Sequence, residues 1–419
     1  MPILRLAMLS LWNRRFTAGL TLFSIALSVA LLLGVERLRT ESRASFANTI
    51  AGTDLIVGAR SGSVQLLLYS VFRIGNATNN ISWQSYQAIR QHPNVSWSIP
   101  IALGDSHRGF RVMGTTPAYF QHYRFGRNRN LAFKDGQPFN GIYEAVLGAE
   151  VADKLGYQLG QTLVIAHGAG RVSLVKHDNK PFTVVGILKR TGTPVDRTVH
   201  IDLKGIEAIH IDWQGGSPMP GLRISAKKAE QLALTPKSIT AALLGLNSRI
   251  SSFKVQHYIN NFREEPLLAI LPGVALQELW NMMGIAEKAL LAISIFVVLV
   301  GLTGMVTVIL TSLNERRREM AILRSVGARP VHILGLIMGE AISLTLLGAL
   351  FGMALLYGLL IIAQPMIESR FGLFIGIDWP SSYEYSLLGL MLAAGSLASF
   401  IPGLRAYRYS LADGMTIRI

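Results

Sequence analysis

The sequence predicts a membrane protein with four transmembrane α-helices and a large α+β extracytoplasmic domain inserted between helices 1 and 2. Three observations point there. Four long runs carry no charge, about 250 residues with mixed strand and helix signals separate the first two runs, and arginines gather in three short segments.

The uncharged runs are 16–35, 289–313, 341–367 and 385–404. At 1.5 Å rise per residue, about 20 residues cross a hydrocarbon core of about 30 Å, so each run is long enough. The spans are placed at 16–36, 289–313, 331–363 and 385–404. Half of the residues are hydrophobic and the mean hydropathy is +0.37, in keeping with this class. Arg5, Arg14 and Arg15 precede the first run in the manner of a signal peptide. Its core is too long for that, however, and no A-x-A site follows, so it reads as a permanent anchor.

Short loops rich in arginine stay on the cytoplasmic side. Residues 1–15 carry three Arg, the 314–330 loop five and the 405–419 tail three, whereas the 364–384 loop carries only Arg370. Both termini and the 314–330 loop are therefore expected inside, with 37–288 and 364–384 outside. Residues 36–288 hold 28 Lys/Arg against 18 Asp/Glu. Long domains translocate largely regardless of charge, so this excess reads as a solvated basic surface. Nucleic acid is not an expected partner for a domain outside the cytoplasm. With no cysteine in the chain, disulfides, thiol catalysis and thiolate metal sites are excluded.

Within the outer region, 54–57, 97–103, 109–113, 162–166 and 182–188 read as strands, rich in Val, Ile and Phe and bounded by turn formers. Helical periodicity marks 82–90 and 151–155, and 222–225, 238–246 and 252–256 read as strand, helix, strand. The strand-dense part, about 100–190, reads as a β-rich subdomain inserted in a β/α subdomain. Leu276, Leu279, Trp280 and Met283 fall at i, i+3, i+4 and i+7, an apolar stripe running into the second span. Residues 36–49 contain neither Gly nor Pro, so the first helix also extends outward. Two such extensions make helical stalks.

The loop Asn314-Glu-Arg-Arg-Arg-Glu-Met-Ala-Ile-Leu-Arg-Ser-Val-Gly-Ala328 combines charge with an apolar side. Glu315, Arg316, Arg317, Arg318 and Glu319 suit pairing with complementary charges on a partner. Met320, Ile322 and Leu323 suit insertion into a groove, flanked by Arg324. Gly327 fits a helix C′ position and Pro330 the first residue of the next helix. A basic loop also follows from the positive-inside rule alone. Glu340, ten residues beyond Pro330, is a carboxylate within a span, and Gly335 and Gly339 nearby suggest close helix packing. The histidines are scattered, with no H-x-x-x-H or H-E-x-x-H, so no metal site is expected. Arg124, Arg127 and Arg129 with Tyr123 and Phe125 form a basic–aromatic patch, read as a solvated loop. No catalytic triad can be assembled.

Together with the topology, this loop resembles the MacB/FtsX-like ABC permeases, the type VII or mechanotransmission family. Glu144-Ala-Val-Leu-Gly-Ala-Glu-Val-Ala-Asp-Lys-Leu-Gly156 and Phe182-Thr-Val-Val-Gly-Ile-Leu-Lys-Arg-Thr-Gly-Thr-Pro-Val-Asp196 are similar to its outer-domain motifs, and Pro402 with Arg405-Ala-Tyr-Arg to its tail. The resemblance covers essentially the whole chain. It implies a coupling helix at Glu315, Arg316, Arg317, Arg318, Glu319, Met320, Leu323, Arg324 and Gly327, gripped by a cytoplasmic ATPase. No G-x-x-x-x-G-K-[ST] phosphate loop occurs, so a separate ATPase chain with its ATP and Mg is expected, and no cofactor on this one. It further implies the bacterial inner membrane, a pair of permeases as homodimer or heterodimer, and a periplasmic adaptor or lipoprotein as partner. The function so implied is a non-enzymatic permease subunit that passes ATPase motion to its periplasmic domain to export, extract or hand over an envelope substrate. The alternative is FtsX-like signalling that activates a periplasmic enzyme without transport.

Overall fold

The computed structural model describes residues 15–168, 177–214, 217–219, 224–315, 317–371 and 376–408. It divides into two units. One holds residues 1–41, 284–367 and 375–419, the other 42–283 and 368–374.

The second unit is built on one sheet of 11 strands. Its main path uses β1 (Leu55–Ala59), β2 (Val95–His107), β3 (Phe110–Thr115), β4 (Phe133–Gly136), β5 (Glu144–Leu147), β6 (Phe182–Leu188), β7 (Thr198–Asp202), β8 (Ala241–Leu246) and β9 (Leu267–Ile270). They lie in the order β9-β1-β8-β2-β3-β7-β5-β6-β4, with Thr162–Leu163 added to β6 and Ala166–His167 to β2. The pairs β7/β3 and β6/β5 are parallel; the other pairs are antiparallel. Side chains of a strand alternate between faces, and the cores follow that period. Ile56, Leu243 and Ile270 join one hydrophobic cluster, while Leu55, Val57, Leu244 and Ala269 join another on the opposite face.

Several expectations need correction here. The strand-dense stretch is not separate from the rest, because the long strand β2 pairs with β8 on one side and β3 on the other. It also runs past 190, since β7 lies between β3 and β5. Residues 238–246 are strands and 252–256 lie in the helix Ser252–Asn260. The apolar run of β8 is buried on both faces, which removes the alternation that marks a strand. In Ser252–Asn260 the buried Val255 and Ile259 sit one turn apart, a helical spacing hidden among polar residues. Leu222 lies outside the described residues.

The two outer-domain motifs meet. A Cβ on Gly148 would stand 2.2 Å from the Val195 carbonyl oxygen, so only glycine permits this approach. Asp196 closes its own loop by accepting from the Thr191 and Gly192 amides, the latter at 2.7 Å. Gly192 takes the positive φ of 70° that this loop requires.

The first unit contains helices Arg15–Thr49, Pro272–Glu315, Pro330–Phe371 and Ser382–Arg408, of which all but the first 12 residues of Pro272–Glu315 and the ends of the first and third belong to it. Each includes a segment long and apolar enough to cross a membrane. Beyond the expected spans, the first helix covers 37–49, the second 272–288 and the third 364–371, the last with Pro365 inside it, which a helix tolerates where neighbours re-satisfy its backbone. The close packing lies elsewhere than expected. Among the described residues, no neighbouring element comes within 4 Å of a Cβ built on Gly335 or Gly339. Instead Gly348 and Gly352, four residues apart, meet Ile25 and Val29 of the first helix. The last helix starts with a capping box, in which Ser381 Oγ accepts from the Glu384 amide at 3.2 Å and Glu384 accepts from the Ser381 amide at 2.6 Å.

Candidate functional site

Between the second and third long helices, Arg317–Ser325 forms a separate short helix. It stops because Gly327 adopts φ 98°, which an L side chain resists. The Ala328 amide then donates to Leu323 O at 2.9 Å and the Gly327 amide to Arg324 O at 3.0 Å, the paired bonds of a Schellman end. Pro330 opens the next helix.

This helix divides its side chains differently from the sequence expectation. Met320 is only 5% exposed and packs in the bundle core with Leu313, Ile333 and Ile337, so it is not available to a partner. Leu323 is half-buried. Arg324 donates through Nη2 to Tyr407 O at 2.9 Å and ties the helix to the end of the last long helix. The open face is Arg318, Ile322 (56% exposed) and Val326 (82% exposed), at successive i+4 positions, beside Glu319. Val326 was missed because it lies past the charged stretch. Glu315 closes the second long helix and Arg317 opens the short one; Arg316 lies outside the described residues.

Glu340 is buried in the third helix, flanked by the core residues Ile337, Ala341 and Leu344. In the stalk stripe, Leu276 joins the outer unit's core, Leu279 is buried, and Trp280 packs edge-on to Phe46 at 5.5 Å beneath the Arg43 guanidinium. Met283 is 40% exposed, so the stripe ends at Trp280. Tyr123 and Phe125 are core residues, with Arg129 stacked on Phe125 at 4.7 Å, so the basic–aromatic patch is a packed hairpin.

The outer unit also gathers Asp105, His167, His177 and His210, whose spacing in sequence carries no metal motif. Asp105 lies on β2 and His167 on the short strand beside it, while His210 ends the helix Leu203–His210, which Asp202 caps through the Lys204 amide. The hydrogen bond to Asp105 raises the pKa of His167. Burial, then the neighbouring His210, lowers that of His177 to about 4. Trp213 stacks obliquely on His177 at 4.6 Å and on His167 at 5.0 Å. A cavity of about 500 Å³ reaches Asp105, His167, His210 and Trp213.

The described residues thus combine four helices long and apolar enough to cross a membrane, a short helix between the second and third, and an α/β unit after the first. A MacB-like periplasmic core domain is matched over residues 18–242 and an FtsX-like permease C-terminal domain over 291–411. The chain belongs to the MacB/FtsX-like ABC transporter permeases. It is similar to the macrolide export ATP-binding/permease protein MacB of Nitrobacter winogradskyi, at 24% identity over 93% of this chain and 56% of that protein. It is also similar to the pyoverdine export ATP-binding/permease protein PvdT of Pseudomonas syringae pv. tomato, at 23% identity over 97% of this chain and 58% of that one. The chain thus spans little more than half the length of these relatives. Among solved structures, the periplasmic region of MacB from Actinobacillus actinomycetemcomitans aligns over 56% of this chain and 95% of its own, at 10% identity and a TM-score of 0.35.

Proposed function

We propose that the chain is the permease subunit of an ATP-driven ABC complex in the bacterial inner membrane, with both termini cytoplasmic. It passes the motion of a separate ATPase to its periplasmic domain, which exports, extracts or hands over an envelope substrate. ATP and Mg act on the ATPase chain, and two permeases form the working unit. A periplasmic adaptor or lipoprotein receives or supplies the substrate.

The observation that supports this reading is the unbroken helix Pro272–Glu315. Its 44 residues span about 66 Å at 1.5 Å each. Near its start, Ala275 and Leu276 belong to the outer unit's core. Its last residue is followed, one residue on, by the short helix carrying Arg318 and Ile322, with Val326 in the turn that ends it. A helix transmits displacement only while its hydrogen-bond ladder is continuous, whereas a Gly-Ser insert behaves as a coil. Inserting such a segment between Asn281 and Met282 should leave ATP hydrolysis intact and abolish the nucleotide-dependent distance change between spin labels on paired outer domains. Retention of that distance change by a correctly inserted variant refutes the lever.

A further inference from the structure

Four segments distant in sequence bring Asp105, His167, His177 and His210 together, each offering one donor atom within 4.8 Å of the others. We propose that these side chains bind a divalent transition ion of the zinc class through three imidazole nitrogens and one carboxylate oxygen.

The distances fit. Ligand bonds of about 2.0–2.1 Å in a tetrahedron place donor atoms about 3.4 Å apart. His167 Nδ1 stands 3.1 Å from Asp105 Oδ1 and 3.3 Å from His210 Nε2, and His210 Nε2 is 3.6 Å from Asp105 Oδ1. Three edges of the tetrahedron are therefore formed, and the His177 donor, within 4.8 Å of the others, has at most about 1.4 Å to close.

The surroundings also fit. His210 Nδ1 lies 2.9 Å from the Ile206 carbonyl, which holds its proton on that nitrogen and turns the Nε2 lone pair to the cluster. Such an outer partner is the usual companion of a metal-bound imidazole. His177 is 1% exposed, and its Nε2 is buried with no hydrogen-bond partner among the described residues. A buried nitrogen left unsatisfied is costly, and an ion offers it a bond. The nearby Lys180 ammonium is committed to Asp212 at 2.6 Å and does not fill that role. Three nitrogens and one oxygen select zinc-like ions over magnesium or calcium, which prefer oxygen alone. The ion would clamp β2, its short neighbour strand, the end of the helix Leu203–His210 and the segment at His177. The adjoining cavity gives it a route in.

The test uses tag-free full-length protein in detergent, stripped with a chelator and titrated with Zn²⁺ alone by calorimetry. One Zn²⁺ per chain is expected, with affinity reduced about 100-fold or more in His177→Gln and in His210→Gln. Binding undiminished in a folded double variant places the ion elsewhere and overturns the site. Should the variants fail to fold, wild-type protein loaded with Co²⁺ decides. An intense four-coordinate visible spectrum abolished by Zn²⁺ supports the site. A weak six-coordinate spectrum, or no binding, shows that the cluster is held by hydrogen bonds between its own side chains.

Discussion

Replacing Ile322 and Val326 by Ala should weaken binding of the ATPase, whereas Met320→Ala should weaken the fold instead. Full burial of a branched aliphatic side chain is worth about 1.5–3 kcal/mol. Ile322 keeps 56% of its surface open and Val326 82%, so each retains about 1–2 kcal/mol for a partner's groove. Each substitution then raises Kd about tenfold, since 1.4 kcal/mol is a factor of ten. The two residues are one turn apart and do not add strictly, so the double variant should lose between about tenfold and a hundredfold. Met320 has already spent its burial on the bundle core. Truncating it should cost about 2–5 kcal/mol of stability, lowering Tm while the folded fraction binds with unchanged Kd. Calorimetric titration of the purified ATPase onto the permease in detergent, with Tm followed by intrinsic fluorescence, separates the two effects. If Met320→Ala weakens binding at unchanged Tm, and the Ile322/Val326 variant binds normally, the assignment of the docking face is wrong.

Charge reversal at Arg316, Arg317 and Arg318 to Glu should leave insertion intact but reduce co-purification with the ATPase; unchanged co-purification would mean that these residues only set topology. Reporters fused after residues 150 and 372 should read outside and those after 320 and 419 inside, and an inside reading at 150 overturns the orientation. Gly148→Ala should destabilise the outer domain by several kcal/mol, of order 3 if neither backbone yields, because its Cβ collides with the Val195 carbonyl; denaturant unfolding of the full chain measures it. His200 is buried beside Arg73, and burial first, then that guanidinium, holds its pKa down to about 3, against 6.5 for an ordinary histidine. The folded state therefore binds fewer protons than the unfolded one between pH 6.5 and 3. The stability contributed by its neutral form is complete above pH 6.5 and is lost as pH falls through that window. The decline of Tm over this range should be shallower in His200→Gln, and an identical slope would show that His200 does not carry it.

Much of the architecture was legible locally. Uncharged runs as long as a hydrocarbon core is thick, and a charged helix at 317–325 ended by Gly327, follow from the solvation of individual segments, with no knowledge of neighbours. Strand β6 is also plain, since Phe182-Thr-Val-Val-Gly-Ile-Leu188 has the β-branched content of a strand wherever it sits. The FtsX-like loop could be recognised for the same reason, because its features are contiguous.

Tertiary structure decided what depends on partners distant in sequence. Met320 and Ile322 are two residues apart and both apolar, yet only packing against Leu313 and Ile333 determines that the first turns inward and the second outward. The burial of β8 on both faces follows from its place between β1 and β2, not from its own sequence. Gly348 and Gly352 look no different from Gly335 and Gly339 until the first helix is laid against them. The histidine cluster is the extreme case. Separations of 62, 10 and 33 residues carry no periodicity. Only the pairing of Ala166–His167 with β2, and the helix that brings His210 back to it, put four donor atoms within reach of one ion.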